Sequence, residues 1–303
     1  MCIRDRSHTG LGAYPLYRQA EVPFSGGSDH YILSDPSVGV PTPMFIQWPD
    51  RFYHTSADTP DRTDQRCLAR AGAVAATYAY WVACAGTAEA NWLGYEMVAR
   101  FKAQAIEAAQ KAAGEALEMD DGESLARTMA GLDRRLAYLL GRQKAALQTL
   151  ERIATTDCIL PELQAEAEQA LYHELAWAQG AVDLRAAELG LETLPTPQPS
   201  DLSEEEQEAA KLVPARLVRG PIPLGQLLHR LDESSREQWR QLIKARKDGA
   251  HYTLSALALY WADGVRSVLE IADLIELEAG KRDVELMLAY LCLVEQLGFI
   301  EFK

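Results

Sequence analysis

The residues with the most chemistry to offer cluster near the N-terminal end. Ser25-Gly-Gly-Ser-Asp-His30 is followed by Val38-Gly-Val-Pro41, and then by Trp48-Pro-Asp-Arg-Phe-Tyr-His-Thr-Ser-Ala-Asp-Thr-Pro-Asp61. A loop histidine held between two regular elements can be aimed well enough to reach a metal ion. His54 stands in such a setting, beside Tyr53 and a few residues before Asp58. A neighbouring carboxylate can fix the second ring nitrogen of a ligating histidine, and Asp58 is close enough in sequence for that. The competing reading makes Asp58 and Thr59 simple caps of the helix that follows and gives His54 a packing or surface role. The other histidines carry less. His173 adjoins Glu174 on a polar helix, His229 lies in an amphipathic helix, His251 precedes a helix start, and His8 lies close to the chain end.

In order and spacing the three stretches resemble the C-terminal motif set of the di-zinc aminopeptidase family (peptidase clan MH), whose fold glutaminyl cyclases and glutamate carboxypeptidases share. The match covers about residues 7 to 86. It implies that His54, in a His-Thr-x-x-Asp-Thr motif, is a ligand to one of two bridged zinc ions. It implies that Ser28, Asp29 and His30 border the pocket for a peptide substrate, with Asp29 supporting the site by hydrogen bonds, and that Tyr53 and Asp58 lend further support. Val40 to Trp48 would be the last strand of the catalytic sheet and Pro60 to Gly86 the closing helix. The implied reaction is release of an N-terminal residue, with a zinc-bound water as nucleophile and a carboxylate as base. The ring of His54 is then expected to face inward, toward the metals.

The chain also departs from that pattern. The family draws its other zinc ligands and its general base from earlier strands, and no such motif occurs here. Gly27 stands where several members carry a tyrosine. A zinc site needs three or four protein ligands, so the chain as written is expected to show negligible peptidase activity. Two rival readings are a non-enzymatic assembly protein and a glutaminyl-cyclase-like transferase with a single zinc.

The elements that must position these residues follow from periodicity and punctuation. Val40 to Trp48 reads as a short strand limited by its prolines, with loop around it from 7 to about 60. A helix is expected from Pro60 toward Gly86, with Thr59 as cap. Residues 89 to 118, 123 to 153 and 160 to 190 are rich in Ala, Leu, Glu, Gln and Arg. Leu125, Met129, Leu132, Leu136, Leu139 and Leu140 recur at three- and four-residue steps, one face of a helix. Leu194-Pro-Thr-Pro-Gln-Pro-Ser200 and the acidic run after it read as a linker. Beyond it, amphipathic helices over 224 to 247 lead into helices at 254–261, 267–278 and 283–297. Gly298 then stops the chain's last helix ahead of a strand at 299–302. Ser267 and Glu270 fit a capping box. The expected fold is therefore mixed and mostly α: a C-terminal remnant of an α/β zinc-peptidase domain over 7–88, a helical segment over 89–193, a linker over 194–214, and a helical, winged-helix-like domain over 215–303.

Composition sets outer limits. The 303 residues are 48% apolar and 24% charged, enough to pack a core. A formal charge of −14 disfavours nucleic acid and anionic membrane as partners. Between Ala250 and Lys303 there are nine acidic residues against four basic ones, so the winged-helix-like segment is expected to pack, with a homo-oligomer as one use, and not to read DNA. No stretch reaches the ~18 apolar residues of a membrane span. Cys2, Cys67, Cys84, Cys158 and Cys292 are scattered, which favours free thiols over a disulfide framework. No signal peptide is visible in the given sequence, and with the native start expected upstream this says nothing about export; a cytoplasmic location is the working expectation. Met1 to Arg6 resembles adapter read-through at the end of an assembled metagenomic fragment, so the native start is expected upstream.

Overall fold

The computed structural model describes residues 28–156, 158–197, 202–246 and 249–303, together with the backbone of two short strands before them. These strands, β1 (Arg4–Arg6) and β2 (Ala13–Pro15), pair antiparallel. Cys2, His8 and Gly27 lie outside the described residues, as does the linker segment 198–201. The architecture is mostly α, 67% helix and 3% strand. The chain divides into two compact units, residues 45–201 and residues 1–44 with 202–303, so the segment 7–88 is shared between them.

After β2 comes a one-turn helix, α1 (His30–Leu33), where the sequence suggested loop. The strand expected over Val40 to Trp48 does not form. Among the described residues it joins no strand ladder, and an extended segment without a ladder partner is not a strand. The next helix starts later than Pro60. Residues 60–62 make a 3-10 turn, Thr63 is extended, and α2 (Gln65–Cys84) begins behind Asp64. The Asp64 carboxylate accepts from the backbone N–H groups of Arg66 and Cys67 at 2.8 and 3.0 Å, so Asp64 and not Thr59 is the cap.

Three long helices follow: α3 (Thr87–Leu117), α4 (Gly122–Gln148) and α5 (Leu160–Glu188). The breaks sit where the sequence signals them, at the Asp121 cap and at Pro161 in the first turn of α5. The buried stripe of α3 is small: Ala90, Gly94, Ala105, Ala109, Ala112, Ala113 and Ala116, with Val98 and Phe101 between them. Leu132, Leu136 and Leu139 of α4 and Leu163 and Leu171 of α5 fill the space that those small residues leave. Lys102 of α3 pairs with Glu166 of α5 at 2.5 Å, and Lys144 of α4 pairs with Glu168. These half-exposed pairs add little energy.

The C-terminal part starts with α6 (Glu204–Ala209), closed by a Ser203–Glu206 capping box and burying Ala209. Residues 202–214, read from sequence as linker, thus fold into this unit. Strand β3 (Pro214–Arg216) leads to α7 (Leu224–Leu227), α8 (Glu233–Ala245), α9 (Ala250–Tyr260), α10 (Val268–Ala279), α11 (Val284–Gln296) and β4 (Ile300–Phe302). The sheet is antiparallel β3–β4, with Arg216 opposite Ile300 and a bridge from Ala215 to Asp263. Ser267 and Glu270 form the expected capping box, with bonds of 3.2 and 2.7 Å. Gly298, at φ 76°, ends α11 in the left-handed region that only glycine enters freely. α11 is the centre of this core: eight of its residues from Val284 to Val294 are buried, against Leu254 and Leu257 of α9 and Ile271 and Ile275 of α10. Arg246, just after α8, forks onto the Asp283 carboxylate at 2.6 and 2.8 Å and ties the start of α11 in place.

The close approach of Leu163 of α5 to Gly94 of α3 is testable. A Cβ built on Gly94 would lie 2.4 Å from Leu163 Cδ1 and 3.1 Å from Leu150 Cδ1. Gly94→Ala is therefore expected to lower stability by about 1–3 kcal/mol despite its better helix propensity, read as a shift in the urea unfolding midpoint. Gly131→Ala, with nothing within 4 Å of its Cβ, is the control and is expected to be neutral or stabilising.

Candidate functional site

His54 sits in the unit formed by residues 45–201. Phe52 to Thr55 make a turn in which the Thr55 N–H donates to the Phe52 carbonyl at 3.0 Å. His54 occupies its third position at φ 60°. Histidine enters that left-handed region more readily than most residues with a Cβ. The imidazole stacks on the Tyr53 ring at 3.8 Å between centroids and 20° between planes, and Tyr53 meets Trp48 edge-on at 5.7 Å. His54, Tyr53 and Trp48 are all exposed. The left-handed turn and the stack on Tyr53 hold the imidazole at the exposed surface of this unit. Asp58 is exposed as well and donates its backbone N–H to the Thr55 carbonyl at 3.2 Å. It does not cap α2, since Asp64 does.

Ser28, Asp29 and His30 lie in the other unit. The Ser28 carbonyl accepts from the Tyr31 N–H at 2.9 Å, and the Asp29 carbonyl accepts from Ile32 at 3.1 Å, so the triplet makes the turn that leads into α1. Asp29 occupies the cap position without a side-chain capping bond. Ser28 and Asp29 are exposed and His30 is half-buried.

Among the described residues, no three His, Cys, Asp or Glu side chains converge where they could share a metal ion. A zinc ion held through His54 would need its other ligands from elsewhere. No helix among the described residues is long and apolar enough to cross a membrane.

The most developed polar cluster was not singled out from sequence. Asp35 is fully buried, and its carboxylate is filled from four sides. Arg216 of β3 donates Nη1 and Nη2 to the two oxygens at 3.0 and 2.9 Å. The Ser37 N–H and hydroxyl donate at 2.9 and 2.6 Å. Arg216 further donates Nε to the Val218 carbonyl at 2.7 Å and Nη2 to the Gly220 carbonyl. Ser37 Oγ accepts from the Gly220 N–H at 2.8 Å, and the Ser37 carbonyl accepts from Arg219 at 3.0 Å. Burial pushes the Asp35 carboxyl up, but the Arg216 fork and the Ser37 bonds outweigh it and leave it below the ordinary carboxylate value. Burial pushes the hydroxyl of Tyr31 upward, as it does that of Tyr260, whose ring stacks on Tyr31 at 6.4 Å. The Asp-Pro-Ser run at 35–37 signals a turn. Its arginine partner lies too far along the chain to be recognised by local spacing.

Scans against protein-family models, curated proteins and solved structures each find no match to this chain.

The buried pair sets a pH dependence. A carboxyl depressed by folding contributes stability above its unfolded value near 3.8 and loses that contribution as pH falls through the lower folded value. The melting temperature is expected to fall as the pH drops below about 4, toward the lower folded value. Arg216→Met, which strands Asp35 without its countercharge, is expected to cost about 3–5 kcal/mol at pH 7. Asp35→Asn together with Arg216→Met is expected to recover part of that loss in the same unfolding assay.

Proposed function

We propose that this chain contributes the C-terminal part of the catalytic domain of a zinc-dependent aminopeptidase, and that His54 serves there as one ligand in a zinc centre completed by residues beyond those in this sequence. The motif order around Ser28-Asp29-His30, Gly39-Val40-Pro41 and His54 to Thr59 is the chemical basis of that reading. The observation that carries it is the uncovered apolar surface along the motif-bearing stretch. α2 has twenty residues and buries none of them. Phe45, Ile46, Trp48, Leu68, Val74 and Tyr80 are all exposed, Tyr80 by 73%. An isolated helix of this length is marginal in water and draws its stability from packing. Exposed apolar side chains in such number mark an interface, and the remainder of an α/β peptidase domain is what the motifs call for there. Ser28, Asp29 and His30 would border the peptide-binding pocket, and Tyr53 would brace the imidazole of His54.

The assembly-protein reading is favoured by a different observation, the construction of the C-terminal unit. We read α9 to α11 with the β3–β4 sheet as a winged-helix-like module whose role is packing. α11, where a DNA reader would present basic side chains, is buried along most of its length, and acidic residues outnumber basic ones around it. The chain is expected to leave duplex DNA unshifted in a gel at 50 mM salt. A shift that weakens as salt rises would overturn the packing role.

The enzymatic reading is tested by extending the chain with the sequence that precedes Ser7 in its genome. The longer protein is expected to release 4-nitroaniline from an aminoacyl anilide in a zinc-dependent manner, and His54→Ala is expected to cut that rate on the order of 100-fold or more. The present chain alone should show no such activity. A longer protein that is inactive with zinc, or that is indifferent to His54→Ala, would sink the proposal.

A further inference from the structure

The Ser28–His30 turn is followed closely by a segment that is pinned to the C-terminal module at three successive points. Tyr31 stacks on the Tyr260 ring of α9, and the Tyr260 hydroxyl donates to the Tyr31 carbonyl at 3.4 Å. Asp35 takes the two-pronged Arg216 fork from β3. Ser37 meets Arg219 and Gly220 in the loop after β3. Between these points the segment closes on itself, with the Val40 N–H donating to the Leu33 carbonyl at 3.0 Å and those of Val38 and Gly39 donating to the Asp35 carbonyl at 2.8 Å. The C-terminal module therefore offers a receptor of specific chemistry: a guanidinium fork, a backbone N–H and an aromatic face. Its occupant is an aromatic residue followed four positions later by an Asp-Pro-Ser turn. Such a buried fork requires its countercharge in place and tolerates little displacement.

We infer that Arg216 and Tyr260 are positioning residues for the Ser28–His30 turn, so that the C-terminal module is the support on which this part of the pocket border is built. The inference rests on the aminopeptidase reading only for the role of the turn; the anchoring itself is independent of it. Arg216 touches neither Ser28 nor His30 and acts through Asp35 and the short helix α1.

Amide hydrogen exchange on the full chain tests it. In the unaltered protein the Tyr31, Ile32, Val38 and Gly39 amides are expected to be protected at pH 7. Arg216→Met is expected to lower their protection at least about tenfold, the scale of a lost charge-assisted hydrogen bond. The Ile271 and Met287 amides in α10 and α11 report whether the module itself stays folded. Arg216→Lys, which retains the charge but not the fork, is expected to restore only part of the protection. Should Arg216→Met unfold the module, Ser37→Ala serves instead, since it leaves the ion pair intact and removes only the Ser37 hydroxyl's bonds. It is expected to raise exchange at Val38 and Gly39 first. The charged and titratable groups that couple to Asp35 are Arg216, Tyr31, Tyr260 and Tyr290, so an acid-side loss of protection in the unaltered protein that Asp35→Asn lacks would mark the carboxylate as the anchor. Unchanged protection at Tyr31 and Ile32 in Arg216→Met, with the module folded, would overturn the inference. Absence of zinc-dependent hydrolysis in the lengthened protein would overturn only the aminopeptidase reading and leave the anchoring standing.

Discussion

A carboxylate taken wholly out of water must meet its countercharge, and Asp35 meets it 181 residues along the chain. That requirement organises the unit made of residues 1–44 and 202–303. Arg216 can present its fork only if β3 is fixed, and β3 is fixed by pairing with β4. β4 follows a helix that stops at Gly298, and that helix is held by α9, α10 and the Arg246–Asp283 pair. One desolvated charge near the start of the described chain thus depends on nearly every element near its other end.

The other unit rests on a different principle. α3 replaces bulk with closeness: its alanines and Gly94 let leucines from α4 and α5 pack against its axis, with the interior density that makes small volume changes costly. α2 shares the Ala-rich composition of α3 but none of its burial, touching the bundle through Trp81, whose ring lies 6.2 Å from that of Trp92. Two neighbouring helices of similar sequence therefore stand in opposite circumstances, one enclosed and one uncovered.

Much of this was legible in the sequence. The three-and-four spacing of Leu125 to Leu139 marks α4, and Pro161 marks the start of α5. Ser267 with Glu270 and the stop at Gly298 outline the last helices and the closing strand. These signals are local, so they survive in any context that buries the right face. What failed was non-local or depended on competition. Val40 to Trp48 has the residues of a strand but no partner. Thr59 and Pro60 look like a helix start, yet Asp64 caps better because its carboxylate reaches two N–H groups at once. The Asp35–Arg216 pair leaves no periodic trace. The surface position of His54 follows from a left-handed turn that residue types alone do not announce.

The long separation between Asp35 and Arg216 has a consequence for biosynthesis. At roughly 5–20 residues per second, ribosomes need on the order of 10 to 40 seconds to make the intervening chain. Throughout that interval the Asp-Pro-Ser segment has emerged while its receptor does not yet exist, and β3 must still wait for β4. The nascent segment is therefore open to chaperones, proteases or other ligands well before its own chain can claim it.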